Sequence, residues 1–217
     1  MTTVLRLSFS YEFDTLKCDE RDYMNKTERP FVTIVSGLPR SGTSMMMQML
    51  EASGIEALTD RIREADDDNP QGYYELEAVK KTKSDSSWLE NANGHVIKVI
   101  YMLLTDLPAR FEYRVVFMNR DLDEVLASQS KMLERRGQKG ASVSNEQLKS
   151  IFEKQVVESK SWLASQPNFK VLYLDYRSVV NEPEANAATI NDFLDGGLDT
   201  QAMIGAVNSK LYRNRVS

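Results

Sequence analysis

Short apolar runs alternate along the chain with longer stretches of helical period. Phe31 to Ser36 is a run of β-branched and aromatic residues between Pro30 and Gly37, and it predicts a buried strand. From about Gly42 to Ser53 the pattern turns helical. Met46, Met47, Met49 and Leu50 supply an apolar face there, and Gly54 a C-terminal stop. Ile55–Leu58 predicts a further strand, and about Leu76 to Asn91 a helix that ends near Asn93-Gly94. Val96–Met102, Val115–Met118 and Phe169–Leu174 predict strands. Between them, Asp121–Arg135 gathers Leu122, Val125, Leu126, Met132 and Leu133 on one helical side. Ser144 with Gln147 three residues on forms a capping-box signature, which opens the longest helix, to about Ser165. A last helix runs from Pro183 to Leu194, before Gly196-Gly197. Segments 66–72 and 137–142 read as loops.

Strands that alternate with helices predict an α/β fold of three layers, α/β/α, around a mainly parallel sheet. Ligands of such sheets bind beyond the C-terminal ends of the strands. The pattern places one domain over 31–217. It leaves 1–30 as an appendage, loosely alternating from Val4 to Phe13 and polar from Lys17 to Pro30. The chain shows no internal repeat and no low-complexity segment.

The 217 residues are 41% hydrophobic and 27% charged, ordinary for a water-soluble domain, with a formal net charge of −5. That balance argues against nucleic acid as the main partner, while leaving room for a local basic pocket. Cys18 is the one cysteine, so the chain cannot form an internal disulfide, and no metal cluster is suggested. The first residues lack a basic segment followed by a long apolar run, and no run is long enough to span a membrane. The expectation is a cytoplasmic protein with no membrane span.

The chemistry concentrates in Ile34-Val35-Ser36-Gly37-Leu38-Pro39-Arg40-Ser41-Gly42-Thr43-Ser44. A strand runs into a loop bracketed by glycines and then into a helix. Such a loop aims backbone N–H groups and a helix N-terminus at an anion. Gly37, Gly42 and Ser44 match the GxxxxGK[ST] nucleotide loop, but Thr43 stands where that loop has Lys. The cation of this loop is Arg40, suited to bidentate pairing with phosphate-like oxygens. The segment Leu38 to Ser44 resembles the 5′-phosphosulfate loop of the sulfotransferases, with its Pro-Lys/Arg-Ser-Gly-Thr core. The resemblance implies a nucleotide-kinase-like fold, a donor in 3′-phosphoadenosine-5′-phosphosulfate (PAPS), and donor contacts from Arg40, Ser41, Gly42, Thr43 and Ser44.

A second segment strengthens that reading. Val115 to Met118 ends in Asn119-Arg120-Asp121, and Ser128 follows Arg120 by eight residues. In the sulfotransferases an Arg at this strand end and a Ser eight residues on hold the 3′-phosphate, so Arg120 and Ser128 inherit that expectation. Asn69-Pro70-Gln71-Gly72-Tyr73-Tyr74-Glu75-Leu76-Glu77 resembles a segment of a bacterial subgroup of that family. Sulfuryl transfer to an alcohol needs a base, and Glu75 is the candidate, with Glu77 in reserve. His95-Val96-Ile97-Lys98-Val99-Ile100 departs from the Lys-Thr-His of many family members. Lys98 matches the Lys, where it would steady charge on the leaving oxygen, while Ile100 replaces the His and favours a carboxylate base. His95, at the other end of that strand, reads as structural. The basic tail Asn208 to Arg215 offers Arg213 as a contact to the 3′-phosphate or the acceptor. The acidic run Asp66 to Asp68 reads as a solvated loop, and no metal is expected.

The sequence thus predicts a PAPS-dependent sulfotransferase acting on the hydroxyl or amine of a small-molecule or carbohydrate acceptor. Its competitors are a small-molecule or nucleotide kinase on the same architecture and a non-catalytic nucleotide-binding protein. The acceptor and the oligomeric state have no motif.

Overall fold

Four strands pair in the order β2-β1-β3-β4, all parallel: β1 (Val32–Gly37), β2 (Val96–Lys98), β3 (Tyr113–Asn119) and β4 (Phe169–Asp175). The computed structural model in which they appear describes residues 29–60, 62, 72–135, 137 and 143–208. Every residue of β1 is buried, as a central strand covered on both faces must be. The helices are α1 (Thr43–Ala52), α2 (Leu122–Arg135), α3 (Asn145–Ser165), α4 (Tyr176–Asn181), α5 (Pro183–Phe193) and α6 (Thr200–Gly205).

Alternate strand positions feed two cores. On one face Val35, Val116 and Met118 meet Met46, Met49 and Leu50 of α1 and Val179, Ile190 and Met203 of the C-terminal helices. On the other face Ile34, Ile97, Val115 and Phe117 meet Leu89, Leu104 and Leu163, the last from α3. The predicted three-layer α/β/α architecture is what these two cores produce.

The path of the chain positions the site. From β1 it goes through α1 to β2 on one side, then crosses to β3 on the other. That reversal leaves a crevice above the C-terminal end of β1. Register puts Val35 beside Lys98, Gly37 beside Met118, and Asn119 beside Asp175, so the loops after all four strands open at one rim.

The structure differs from the sequence pattern in four places. The helix expected over Leu76–Asn91 is instead two short 3-10 turns, Glu77–Lys81 and Ser87–Asn91. Between them the side chains compete for the backbone: Thr82 donates to the Val79 carbonyl (2.7 Å), Ser84 to that of Lys81 (3.0 Å), and the Asp85 carboxylate accepts from the Ser87 N–H (3.0 Å). The strand expected over Ile55–Leu58 reduces to one bridge, Ala57 to Val96. β2 stops at Lys98, and the chain turns into a 3-10 segment, Tyr101–Asp106, that buries Tyr101 and Leu104. The unpredicted helices α4 and α6 are short, 6 residues each, and are opened by aspartate caps, Asp175 and Asp199.

The capping box of α3 forms as predicted. The Ser144 hydroxyl accepts from the Gln147 N–H (3.2 Å), and the Gln147 side chain accepts from the Ser144 N–H (2.9 Å). Replacing Ser144 by Ala removes one arm of it. We expect a loss of about 1 kcal/mol, read as a lower urea midpoint at unchanged m-value.

Candidate functional site

The turn after β1 is held in sparsely populated backbone conformations. Arg40 has φ 72° and Gly42 φ 99°. Gly42 is required twice over: a Cβ there would lie 2.3 Å from Cδ2 of Tyr176. The Ser41 N–H closes the turn on the Leu38 carbonyl (3.1 Å), and its hydroxyl is buried.

The helix that follows begins without a side-chain cap. Ser144, Asp175 and Asp199 open α3, α4 and α6, but no side chain accepts at the N-terminus of α1, and no acidic residue lies in its first turn. Its first N–H groups and positive dipole end therefore present themselves at the rim as an anion cradle.

Two arginines brace this cradle. Arg40 donates from Nε to the Ser128 hydroxyl on α2 (2.9 Å). Arg120, at the end of β3, donates from Nη1 to the Arg40 carbonyl (3.0 Å) and from Nε to Glu124 (2.9 Å). The side chains of that ion pair are 8% and 4% exposed. The guanidinium also lies over the Tyr176 ring, 4.5 Å from its centroid. Asp121 holds the start of α2 by accepting from the N–H groups of Asp123 (2.9 Å) and Glu124 (3.1 Å).

Lys98 reaches the loop from β2. Its ammonium donates to the Tyr73 carbonyl (2.9 Å) and to the Ser44 hydroxyl (3.3 Å). Glu75 lies in the extended segment ahead of the first 3-10 turn, where its carbonyl accepts from Thr59 Oγ1 (2.8 Å) and the Asp60 N–H (3.2 Å). That pairing holds the residue at the cavity wall.

These groups meet around one cavity of about 470 Å³. Arg40, Gly42, Thr43, Ser44, Arg120 and Ser128 line it, as do Lys98 and Glu75. Ser41 does not, because both its polar groups turn into the loop. Glu77 does not either: its N–H donates to Asp60 (2.6 Å) and its carboxylate pairs with Lys80. The bond to Glu77 holds the Lys80 ammonium above its usual range. His95 sits at the start of β2, 3.0 Å from the Asn93 carbonyl, away from the rim. Ile100 lines the cavity. Arg213 and the acidic run 66–68 lie outside the described residues, as do 1–28.

Phosphate-type loop, arginine-braced rim and carboxylate wall coincide with a match over residues 32–211 to the family model described as "Sulfotransferase domain". The chain belongs to the sulfotransferase family. Its class of chemistry is sulfuryl transfer. The sulfotransferase domain of the curacin biosynthetic pathway superposes with a TM-score of 0.51 at 13% identity, over 85% of this chain and 80% of that one. Retinol dehydratase, solved with androsterone and inactive cofactor PAP, superposes with a TM-score of 0.50 at 16% identity, over 87% of this chain and 67% of that one. At such identities the likeness is one of fold. No curated protein matches in sequence. No described helix is long and apolar enough to cross a membrane, and no metal-binding group of His, Cys, Asp or Glu occurs among the described residues.

Sequence reasoning passed over several residues of this sulfotransferase site. Glu124 follows Arg120 by four, a spacing that signals a helical pair. Lys131 and Arg135 line the cavity and follow Ser128 by three and seven, the same helical face. Tyr176, which walls the cavity and fills the space beside Gly42, has no local signal at all.

Two substitutions test the frame. Gly42→Ala should cost about 2–4 kcal/mol, combining backbone strain with overpacking against Tyr176, measured by chemical denaturation. Glu124→Ala should cost about 3–5 kcal/mol, because it leaves the Arg120 guanidinium buried without its carboxylate.

Proposed function

We propose that the chain transfers a sulfuryl group from PAPS to the hydroxyl of a small-molecule acceptor. The observation that carries this reading is the uncapped N-terminus of α1, with Arg40, Lys98 and Ser128 lining the same cavity as its first turn. A loop whose backbone is arranged for an anion, with Thr43 in place of the nucleotide-loop Lys, suits a phosphosulfate better than a magnesium-bound triphosphate. Retinol dehydratase with its bound PAP gives the reading a precedent in the same fold.

The donor supplies the activated sulfuryl group, and the chain's residues do the rest. The amides of the loop and of α1, with Arg40, Thr43 and Ser44, receive the phosphosulfate. Ser128 and Arg120 receive the 3′-phosphate, and Arg213 of the tail is assigned to the same end. Glu75 accepts the proton of the attacking hydroxyl as the new O–S bond forms. The S–O bond to the 5′-phosphate breaks, and Lys98 and Arg40 meet the charge that collects on the departing oxygen. Lys98 is suited to this because its ammonium already bridges the loop and the Glu75 segment. The step needs no metal.

Calorimetric titration separates this from the kinase reading. Micromolar binding of 3′,5′-adenosine bisphosphate (PAP), with ATP and magnesium much weaker, is the expected result. Preference for magnesium-ATP would overturn it. Arg40→Ala should weaken PAP by about 1.5–3 kcal/mol, the scale of a hydrogen bond between charged groups. Glu75→Gln should leave PAP affinity in place and lower kcat by roughly 10²–10⁴. Undiminished turnover in that variant would remove Glu75 as the base, and donor binding with no turnover by the native protein would favour a non-catalytic role.

A further inference from the structure

One side chain of α1 is at odds with its surroundings. Met46, Met47, Met49 and Leu50 are fully buried, and Gln48 in their midst is 8% exposed. No described residue hydrogen-bonds its amide. A buried amide without a partner destabilises a fold, and its presence calls for a reason. Gln48 lines the cavity, and its amide is not sealed off as the unpartnered hydroxyls of Thr33, Ser36 and Ser41 are. The partner it lacks within the described fold can therefore come from the cavity.

The neighbours of Gln48 fix which part of the cavity it serves. Ser44, Gln48 and Glu51 fall at i, i+4 and i+7 of α1, one face of the helix. Both ends of that stripe are tied to the segment that carries Glu75. At one end the Lys98 ammonium donates to the Ser44 hydroxyl (3.3 Å) and to the Tyr73 carbonyl (2.9 Å). At the other the Tyr74 hydroxyl donates to the Glu51 carboxylate (2.5 Å). Gln48 lies between these ties. The anion cradle belongs to the first turn of α1, and Gln48 roots about 6 Å beyond Ser44 along the axis. It thus stands past the phosphosulfate, on the side of Glu75, where an acceptor hydroxyl enters.

We infer that the acceptor is a diol or polyol, and that Gln48 binds a second, neutral hydroxyl beside the one that is sulfated. A primary amide is uncharged and both donates and accepts, and a hydroxyl can answer it in both senses. A site built to bond a hydroxyl discriminates against the analogue that lacks it, because its own polar group is then left unpaired. Gln48 is a specificity-determining residue in this scheme. The inference rests on the PAPS reading, which places the donor at the cradle and the base at Glu75.

The test uses the full-length protein saturated with PAP and two pairs of alcohols that differ by one hydroxyl: phenylethane-1,2-diol against 2-phenylethanol, and trans-cyclohexane-1,2-diol against cyclohexanol. Calorimetry should show at least one diol bound roughly fivefold or more tighter than its partner, the scale of one net hydrogen bond. Gln48→Met, which continues the methionine run, should abolish that preference and keep PAP affinity within about threefold. The same variant without ligand should unfold at an equal or higher urea midpoint, since it loses an unpaired buried amide. Three results would overturn the inference: no preference for a diol in the native protein, a preference that survives in Gln48→Met, or a lowered midpoint that gives the amide a structural role. Failure of the native protein to bind PAP would instead sink the donor reading itself, so the two failures are distinguishable.

Discussion

The arrangement at the rim depends on the burial of Arg120 beneath the loop. Its guanidinium ties the end of β3 to the start of α2 through Glu124, to the loop through the Arg40 carbonyl, and to the start of α4 through the ring of Tyr176. An ion pair this deep contributes little net stability, since desolvation offsets most of its Coulombic attraction. What it supplies is geometry. A carbonyl bonded to a fixed guanidinium holds Arg40 in a left-handed conformation that a non-glycine residue does not favour, and thereby aims the Arg40 side chain at Ser128. The family's strand-end arginine therefore has a supporting role here as well as a place at the cavity wall.

The elements that bury long periodic faces were legible in the sequence. β1, β3, β4, α1, α2 and α3 were all read to within about two residues, because a run of β-branched residues or a sustained helical stripe has few other ways to be buried. The capping box of α3 was legible because two side chains and two N–H groups suffice to define it. The region 76–106 was not. Over five or six residues a 3-10 turn and an α-helix present nearly the same apolar spacing, and the decision fell to Thr82, Ser84 and Asp85 bonding to nearby backbone.

The site was legible to the extent that its parts are local. Gly37, Gly42 and Arg40 lie within one loop, and Arg120 and Ser128 within one strand–helix junction. The bond from Arg40 to Ser128 joins positions 88 apart, and no spacing rule predicts it. Lys98 shows the same limit. The loop lacks the usual lysine at Thr43, yet an ammonium arrives beside Ser44 from the neighbouring strand. Only the register of β2 against β1, which pairs Lys98 with Val35, brings it there. Lys131 and Arg135 read as an ordinary solvated helix face until the fold turned that face toward the cavity.

One consequence follows from setting a cationic cavity into a chain of net charge −5. Beyond roughly 10 Å in physiological salt an approaching anion meets the screened negative field of the whole molecule, and near the mouth it meets a local positive field concentrated by low-dielectric walls. A compact anion is small enough to exchange the first field for the second. An extended polyanion must leave most of its length against the repelling exterior while one segment reaches the interior. The charge pattern thus works as a sieve by size, selecting among anions before any hydrogen bond is formed.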